Sequence, residues 1–320
     1  MKGAHVSHCR GGRKTALTDR LIVYTDMTND RTTTLKVGQI VGRYRIDGVL
    51  GSGGMGQVYL AHDVELQRTV AIKLVDGRRQ RPQELVREAR FAASLDHPSI
   101  CTIHGVEYLG EEPFLVMEHI KGIPLSKVIR GRRSISQSTA LDFARQIIAA
   151  VGHAHDRGVI HGDLKSSNVM IGPDGHVTIL DFGLACRAGG APSESESTCQ
   201  SPSSSAAGTV PYMAPEIIRG QPASVQSDIW ALGVLLFEMM VGRRPFAGVT
   251  PYELASNILV NKRTRMESQI QGPIREIVDR CLSVDPAGRY RSARDLGQAL
   301  RPLRRPRGRA RVGNHGRPGV

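Results

Sequence analysis

A glycine-rich segment, Gly51-Ser52-Gly53-Gly54-Met55-Gly56, constrains this 320-residue chain through the residues that come directly after it. The same G-x-G-x-x-G spacing occurs in dinucleotide-binding turns, but there the glycines open a helix. Here they run into Gln57-Val58-Tyr59-Leu60, which alternates as a strand does. The glycines therefore form the tip of a β-hairpin, and without Cβ atoms their amides can approach anionic oxygens such as phosphates. Strand-like runs surround them: YRIDGVLG from Tyr44, QVYLAHD from Gln57 and TVAIKLV from Thr69, β-branched and punctuated by turn residues. Three such neighbours begin an antiparallel sheet.

Lys73 lies inside the last of these apolar runs, and a buried ammonium demands an anionic partner. A bound anion would supply one such charge, and a glutamate on the helix that follows, Glu88 or Glu84, another. Glu88 belongs to RPQELVREARFAASL at 81–95, which puts Leu85, Ala89, Ala92 and Ala93 on one helical face and stops near His97-Pro98. Two more strand-like runs, around 102–109 and 114–117, are followed by the connector EHIKG. The chain then turns helical: 138–157 carries a stripe of Leu141, Ala144, Ile148, Val151 and His155 that ends at Gly158. Residues 168–180 read as two short strands around Pro173-Asp174-Gly175, and helices dominate from Pro215 to Leu303. The apolar stretch Ile229 to Val241 contains Glu238 and falls short of the ~20 residues that cross a bilayer, so it reads as a buried helix.

Three further motifs carry chemistry: HGDLKSSN at 161–168, DFG at 181–183 and APE at 214–216. With the glycine hairpin and VAIK at 70–73, in this order, they form the signature set of a protein kinase. From about residue 40 to 303 the chain resembles the bacterial Hanks-type, or eukaryotic-like, serine/threonine protein kinases. The resemblance implies an α+β, bilobal protein-kinase fold. A small antiparallel β lobe with one main helix spans 39–118, a larger mainly helical lobe spans 119–303, and ATP binds in the cleft between them. It implies that Gly51, Ser52, Gly53, Gly54, Met55 and Gly56 cover the phosphates and that Val58 and Ala71 lid the adenine. Met117 would border the inner pocket, and backbone groups of Glu118 and Ile120 would bond the adenine edge. Lys73 would hold the α- and β-phosphates and be held in turn by Glu88, with Glu84 one turn earlier as the competitor.

By the same resemblance Asp163 accepts the proton of the phosphoacceptor hydroxyl, and Lys165 neutralises charge on the γ-phosphoryl group. Asn168 and Asp181 offer the hard oxygens that Mg²⁺ prefers, with Mn²⁺ as the alternative ion. Lys165, and Thr209 in GTVPYMAPE, point to serine or threonine of protein substrates as acceptor. Glu216 needs a buried cation, for which Arg289 is the matching partner, and Asp228 anchors the catalytic loop. One letter departs from the pattern, because Gly162 stands where most of the family has an arginine. That arginine couples loop phosphorylation to loop order, so activity is expected to depend little on phosphate in the activation loop, 184–213. Ser193, Ser195, Ser197, Thr198, Ser201 and Ser203–Ser205 are autophosphorylation sites or part of a flexible spacer.

Two other readings use the same letters. HGD also occurs in kinase-like small-molecule phosphotransferases, against which Lys165, Thr209 and APE argue. A catalytically silent pseudokinase scaffold normally lacks a lysine, a metal ligand or the catalytic aspartate, and here all are present. Composition bounds the rest. Seven arginines and no acid in residues 301–320 carry more than half of the formal net charge of +13. The Pro/Gly/Arg tail at 304–320 is expected to be disordered, either solvated or docked onto nucleic acid or an anionic membrane. Residues 1–38 read as a poorly ordered extension, with no transmembrane segment and no apolar signal-peptide core. Five scattered cysteines without C-x-x-C spacing fit reduced thiols in a cytoplasm. His153, His155 and His161 read as packing residues rather than metal ligands, and Cys186 as a small buried residue rather than a redox thiol.

Overall fold

Period-two alternation decides how the small lobe is built. The computed structural model describes residues 34–53, 56–75, 82–131, 135–181, 186–187, 209–264 and 272–303. Strands β1 (Ile40–Val41), β2 (Tyr44–Gly53), β3 (Gly56–Asp63) and β4 (Arg68–Val75) precede helix α1 (Pro82–Ala93), and β5 (Ile103–Leu109) and β6 (Glu112–Glu118) come after it. They form one antiparallel sheet in the order β1-β2-β3-β4-β6-β5. One face buries Tyr59, Ala61, Val70, Ile72, Phe114 and Val116 in a core with Tyr44 and Ile46. The register sets Val58 opposite Lys73, Lys73 opposite Leu115 and Ala71 opposite Met117, all on the other face. That face meets α1, whose Leu85 and Ala89 pack on Leu115.

Residues 34–38, read from the sequence as part of the extension, belong to this sheet's packing instead. Leu35 is buried in the same core and its N–H donates to Tyr59 Oη at 3.0 Å, while Gly38 N–H reaches Ile46 O at 2.8 Å. A single apolar residue and a turn suffice for this, and neither makes a periodic pattern. All described residues fall in the unit that begins at Thr32. Residues 1–33, the tip residues Gly54 and Met55, the serine-rich 189–207 and the basic 304–320 lie outside the described residues.

The large lobe runs β7 (Ile123–Pro124), α2 (Leu125–Gly131), α3 (Gln137–Asp156), β8 (Val159–Ile160), β9 (Val169–Ile171), β10 (Val177–Ile179) and β11 (Cys186–Arg187). Then come α4 (Pro215–Ile218), α5 (Val225–Val241), α6 (Pro251–Leu259), α7 (Pro273–Cys281) and α8 (Ala293–Leu300). Helix α5 is buried almost all round, as a helix without a polar stripe must be. Ser224 and Ser227 cap its start reciprocally, and Gly242, left-handed at φ 76°, ends it. At Gly233 a Cβ would lie 2.5 Å from Cys281 Cβ, so only glycine lets α5 and α7 approach this closely. No helix among the described residues is long and apolar enough to cross a membrane.

The two lobes are joined through the segment after α1. Ile100 bridges Ile179, Cys101 N–H donates to Ile179 O at 2.9 Å, and Ile179 N–H donates to Ser99 O at 2.9 Å. Strand β10 is thereby tied to the small lobe just before Asp181.

Below the site, Arg289 and Glu216 form a bidentate pair, Nη1–Oε1 at 2.6 Å and Nη2–Oε2 at 2.8 Å. Arg289 also donates to the carbonyls of Ser283 and Gln226. Because both side chains are buried, Arg289→Ala leaves an uncompensated carboxylate. The variant is expected to lose about 3–5 kcal/mol of unfolding free energy in a denaturant titration.

Candidate active site

Asp228 holds the catalytic loop from beneath. Buried in the first turn of α5, its Oδ1 accepts Gly162 N–H at 3.0 Å. Its Oδ2 accepts His161 N–H at 2.9 Å and His155 Nε2 at 2.8 Å. Burial alone pushes this carboxyl up; the hydrogen bond and charge of His155, the nearby His161 and the Gly162 N–H outweigh it and hold the carboxyl below its ordinary value. Gly162 is left-handed, with φ 74°, a conformation that other residues adopt only with strain. The turn it makes brings two successive N–H groups onto one carboxylate.

His161 ties the loop from above. Its Nδ1 accepts Asp163 N–H at 3.2 Å, so the ring proton sits on Nε2, which donates to Leu180 O at 3.3 Å. Leu180 N–H in turn donates to Asn168 O at 2.8 Å. These bonds set the residue before Asp181 directly against the loop that carries Asp163. Asp181 has a left-handed backbone at φ 58°, strain of the kind that surrounding structure must impose.

Around Asp163 the polar side chains converge. Lys165 Nζ lies 2.6 Å from Asp163 Oδ2 and 3.1 Å from Thr209 Oγ1. Asn168 Nδ2 donates to Asp163 O at 3.0 Å and to Asp163 Oδ2 at 3.2 Å. Asp163 Oδ1, by contrast, is buried with no hydrogen-bond partner among the described residues. An orphaned carboxylate oxygen is costly, and an incoming hydroxyl would satisfy it.

On the sheet side, Lys73 is only 4% exposed and its Nζ bonds Asp181 Oδ1 across the cleft. Gly51 stands opposite Val58 and Gly53 opposite Gly56, so the described glycines, Val58 and Lys73 lie on adjoining strands. Glu118 N–H already donates to Thr102 O at 2.9 Å, which leaves only its carbonyl for an adenine edge. That narrows the expectation for Glu118. Glu88 lies in α1, but its side chain and that of Glu84 are outside the described residues, as is that of Cys186.

The residues fit a divalent cation. Asn168 turns its amide nitrogen to Asp163, its Oδ1 accepts only a long 3.4 Å bond from Ser167 Oγ and keeps a lone pair for a ligand, and Asp181 adds a carboxylate. Among the described residues no group of three or more His, Cys, Asp or Glu is arranged for a metal. Two protein oxygens completed by phosphates and water match how Mg²⁺ is held, and would not suit a structural zinc. The sequence pattern did not reveal the contacts that aim these groups, among them His161 to Leu180 and Cys101 to Ile179, because each joins residues far apart in the chain.

A β lobe carrying a buried lysine under a glycine hairpin, set over a helical lobe with this aspartate-lysine-asparagine loop, defines a protein kinase domain. The protein kinase domain family matches residues 44–299, and the chain belongs to that family. It is 36% identical over 268 residues to the serine/threonine-protein kinase PrkC of Bacillus subtilis, covering 81% of this chain and 40% of PrkC. To the serine/threonine-protein kinase PknA of Mycobacterium tuberculosis it is 35% identical over 277 residues, 83% of this chain and 63% of PknA. The chain thus spans 40% to 63% of the length of these curated relatives.

Proposed function

We propose that the protein transfers the γ-phosphate of ATP to serine or threonine hydroxyls of proteins and also phosphorylates itself. The orphaned Asp163 Oδ1 carries this reading: a buried acceptor, flanked by an ammonium and a threonine hydroxyl, is suited to orient a hydroxyl and take its proton. Lys165 lies beside it, where it would balance charge on the transferring group. Lys73 would bind the α- and β-phosphates, and the hairpin Gly51–Gly56 would close over them through backbone amides. Val58, Ala71 and Met117 would enclose the adenine, with the Glu118 carbonyl and Ile120 at its edge. Asn168 and Asp181 would hold Mg²⁺, or Mn²⁺, which neutralises phosphate charge when bound. The names of the relatives support serine or threonine as acceptor. The reading places the activity in the cytoplasm, where ATP is the available phosphoryl donor and free thiols such as Cys101 and Cys281 stay reduced.

Gly162 supports a further part of the reading, that activity depends little on activation-loop phosphate. No arginine precedes Asp163 to carry a charge awaiting neutralisation, and Asp228 already satisfies the Gly162 backbone.

Labelled ATP and a generic basic protein test the activity. Asp163→Asn should lower turnover by about 10²–10⁴, the range for a positioned base, and wild-type turnover in that variant would refute its role. Complete dephosphorylation of the wild-type enzyme should leave peptide phosphorylation close to its starting rate. A fall of about 100-fold or more, the scale of a lost electrostatic contribution, would contradict phosphate independence.

A further inference from the structure

Ser166 comes directly after Lys165 in the short turn Ser166–Asn168 and is 2% exposed. Its hydroxyl lies 2.8 Å from Tyr212 Oη, which lies 2.6 Å from Glu238 Oε2 on α5. A phenol has one proton and a carboxylate only accepts, so Tyr212 donates to Glu238 and Ser166 donates to Tyr212. Arg244 completes the row, with Nε 3.7 Å from Glu238 Oε1 and its guanidinium 5.4 Å from the Tyr212 ring centre. Burial, and then the Glu238 charge, push the Tyr212 hydroxyl up to about 12, so it stays a donor at neutral pH.

Tyr212 and Thr209 belong to one turn, since Tyr212 N–H donates to Thr209 O at 2.9 Å. Tyr212 also lines a small recess with Asp163, Thr209 and Met213. Consecutive residues of the catalytic loop therefore grip the same turn at two points, Lys165 at Thr209 and Ser166 at Tyr212. The first grip is charged and open to any anion that enters the cleft. The second is uncharged and buried, and an aligned donor-to-acceptor chain strengthens each of its bonds.

We propose that Ser166 is a positioning residue for the phosphoacceptor, its bond to Tyr212 seating the acceptor-side turn on the catalytic loop without help from a loop phosphate. The inference rests on the protein kinase reading and deepens it. With Gly162 in place of an arginine the loop has no charge-coupled device for ordering this turn there, and the Ser166 bond supplies an ordering contact that is always made. A turn displaced by ~1 Å misplaces the acceptor hydroxyl relative to Asp163, an error to which transfer rates are steeply sensitive.

The test is steady-state kinetics of full-length Ser166→Ala with peptide and ATP varied in turn. The loss of one buried neutral hydrogen bond predicts a fall of about 3- to 10-fold in kcat/KM for the peptide, with KM for ATP unchanged. Tyr212→Phe removes the oxygen to which Ser166 donates, so adding Ser166→Ala to it should cause no further loss. Unchanged peptide kinetics in Ser166→Ala would overturn the inference. So would a rise in KM for ATP of the same size as the loss for peptide, or additive losses in the double variant. A wild-type enzyme that transfers no phosphate to protein would overturn the underlying kinase reading, and this inference with it.

Discussion

An ammonium in the middle of an apolar strand is tolerable only if a carboxylate reaches it, and Lys73 obtains one from Asp181, 108 residues further along the chain. Much of the architecture serves to bring those two groups together. Strand β4 must be central, so that Lys73 projects from the face turned to the cleft while Val70, Ile72 and Leu74 fill the core on the other. Strand β10 must end beneath it, which the bonds from Ser99 and Cys101 to Ile179 secure. Breaking a buried pair leaves a lone charge that costs several kcal/mol, and so the requirement selects one arrangement of the lobes over its neighbours.

The lower half of the site depends on Asp228 in an equivalent way. Helix α5 is buried, capped at both ends and packed against α7 at Gly233, which makes it a rigid base. From its first turn one carboxylate orders His155, His161 and Gly162, and His161 then reaches Leu180. The catalytic loop is fixed from α5 and from β10 at once. Preorganisation of this kind lets charged groups act without first rearranging.

Periodicity made most of the fold legible. Strands β2 to β4, helix α1, helix α3 and helix α5 all stand where alternation, helical stripes or a continuous apolar run indicate, because those patterns are local. The two-residue strands β1, β7, β8 and β11 were not legible, since so short a run has no period and is defined only by its partner. Within the site, motif letters named Asp163, Lys165, Asn168 and Asp181. They did not tell which ring nitrogen of His161 carries the proton, that Gly162 is left-handed, or that Ser166 reaches Tyr212. Those properties arise from atoms brought in by distant segments. Glu118 shows the same limit: its place in the connector was readable, whereas the engagement of its N–H by Thr102 was not.

The proposed phosphoryl transfer would require Lys73, Asp163, Asn168 and Asp181 to surround one metal-bound triphosphate. A crystal structure with a non-hydrolysable ATP analogue and Mn²⁺ gives the sharpest test, because the anomalous signal of the ion locates it independently of the protein. The expected map has a peak bonded to Asn168 Oδ1 and an Asp181 carboxylate oxygen, with Lys73 Nζ on the α- and β-phosphates and Asp163 facing the γ-phosphate. A nucleotide bound outside the cleft, or an ion that engages neither Asn168 nor Asp181, would contradict this arrangement.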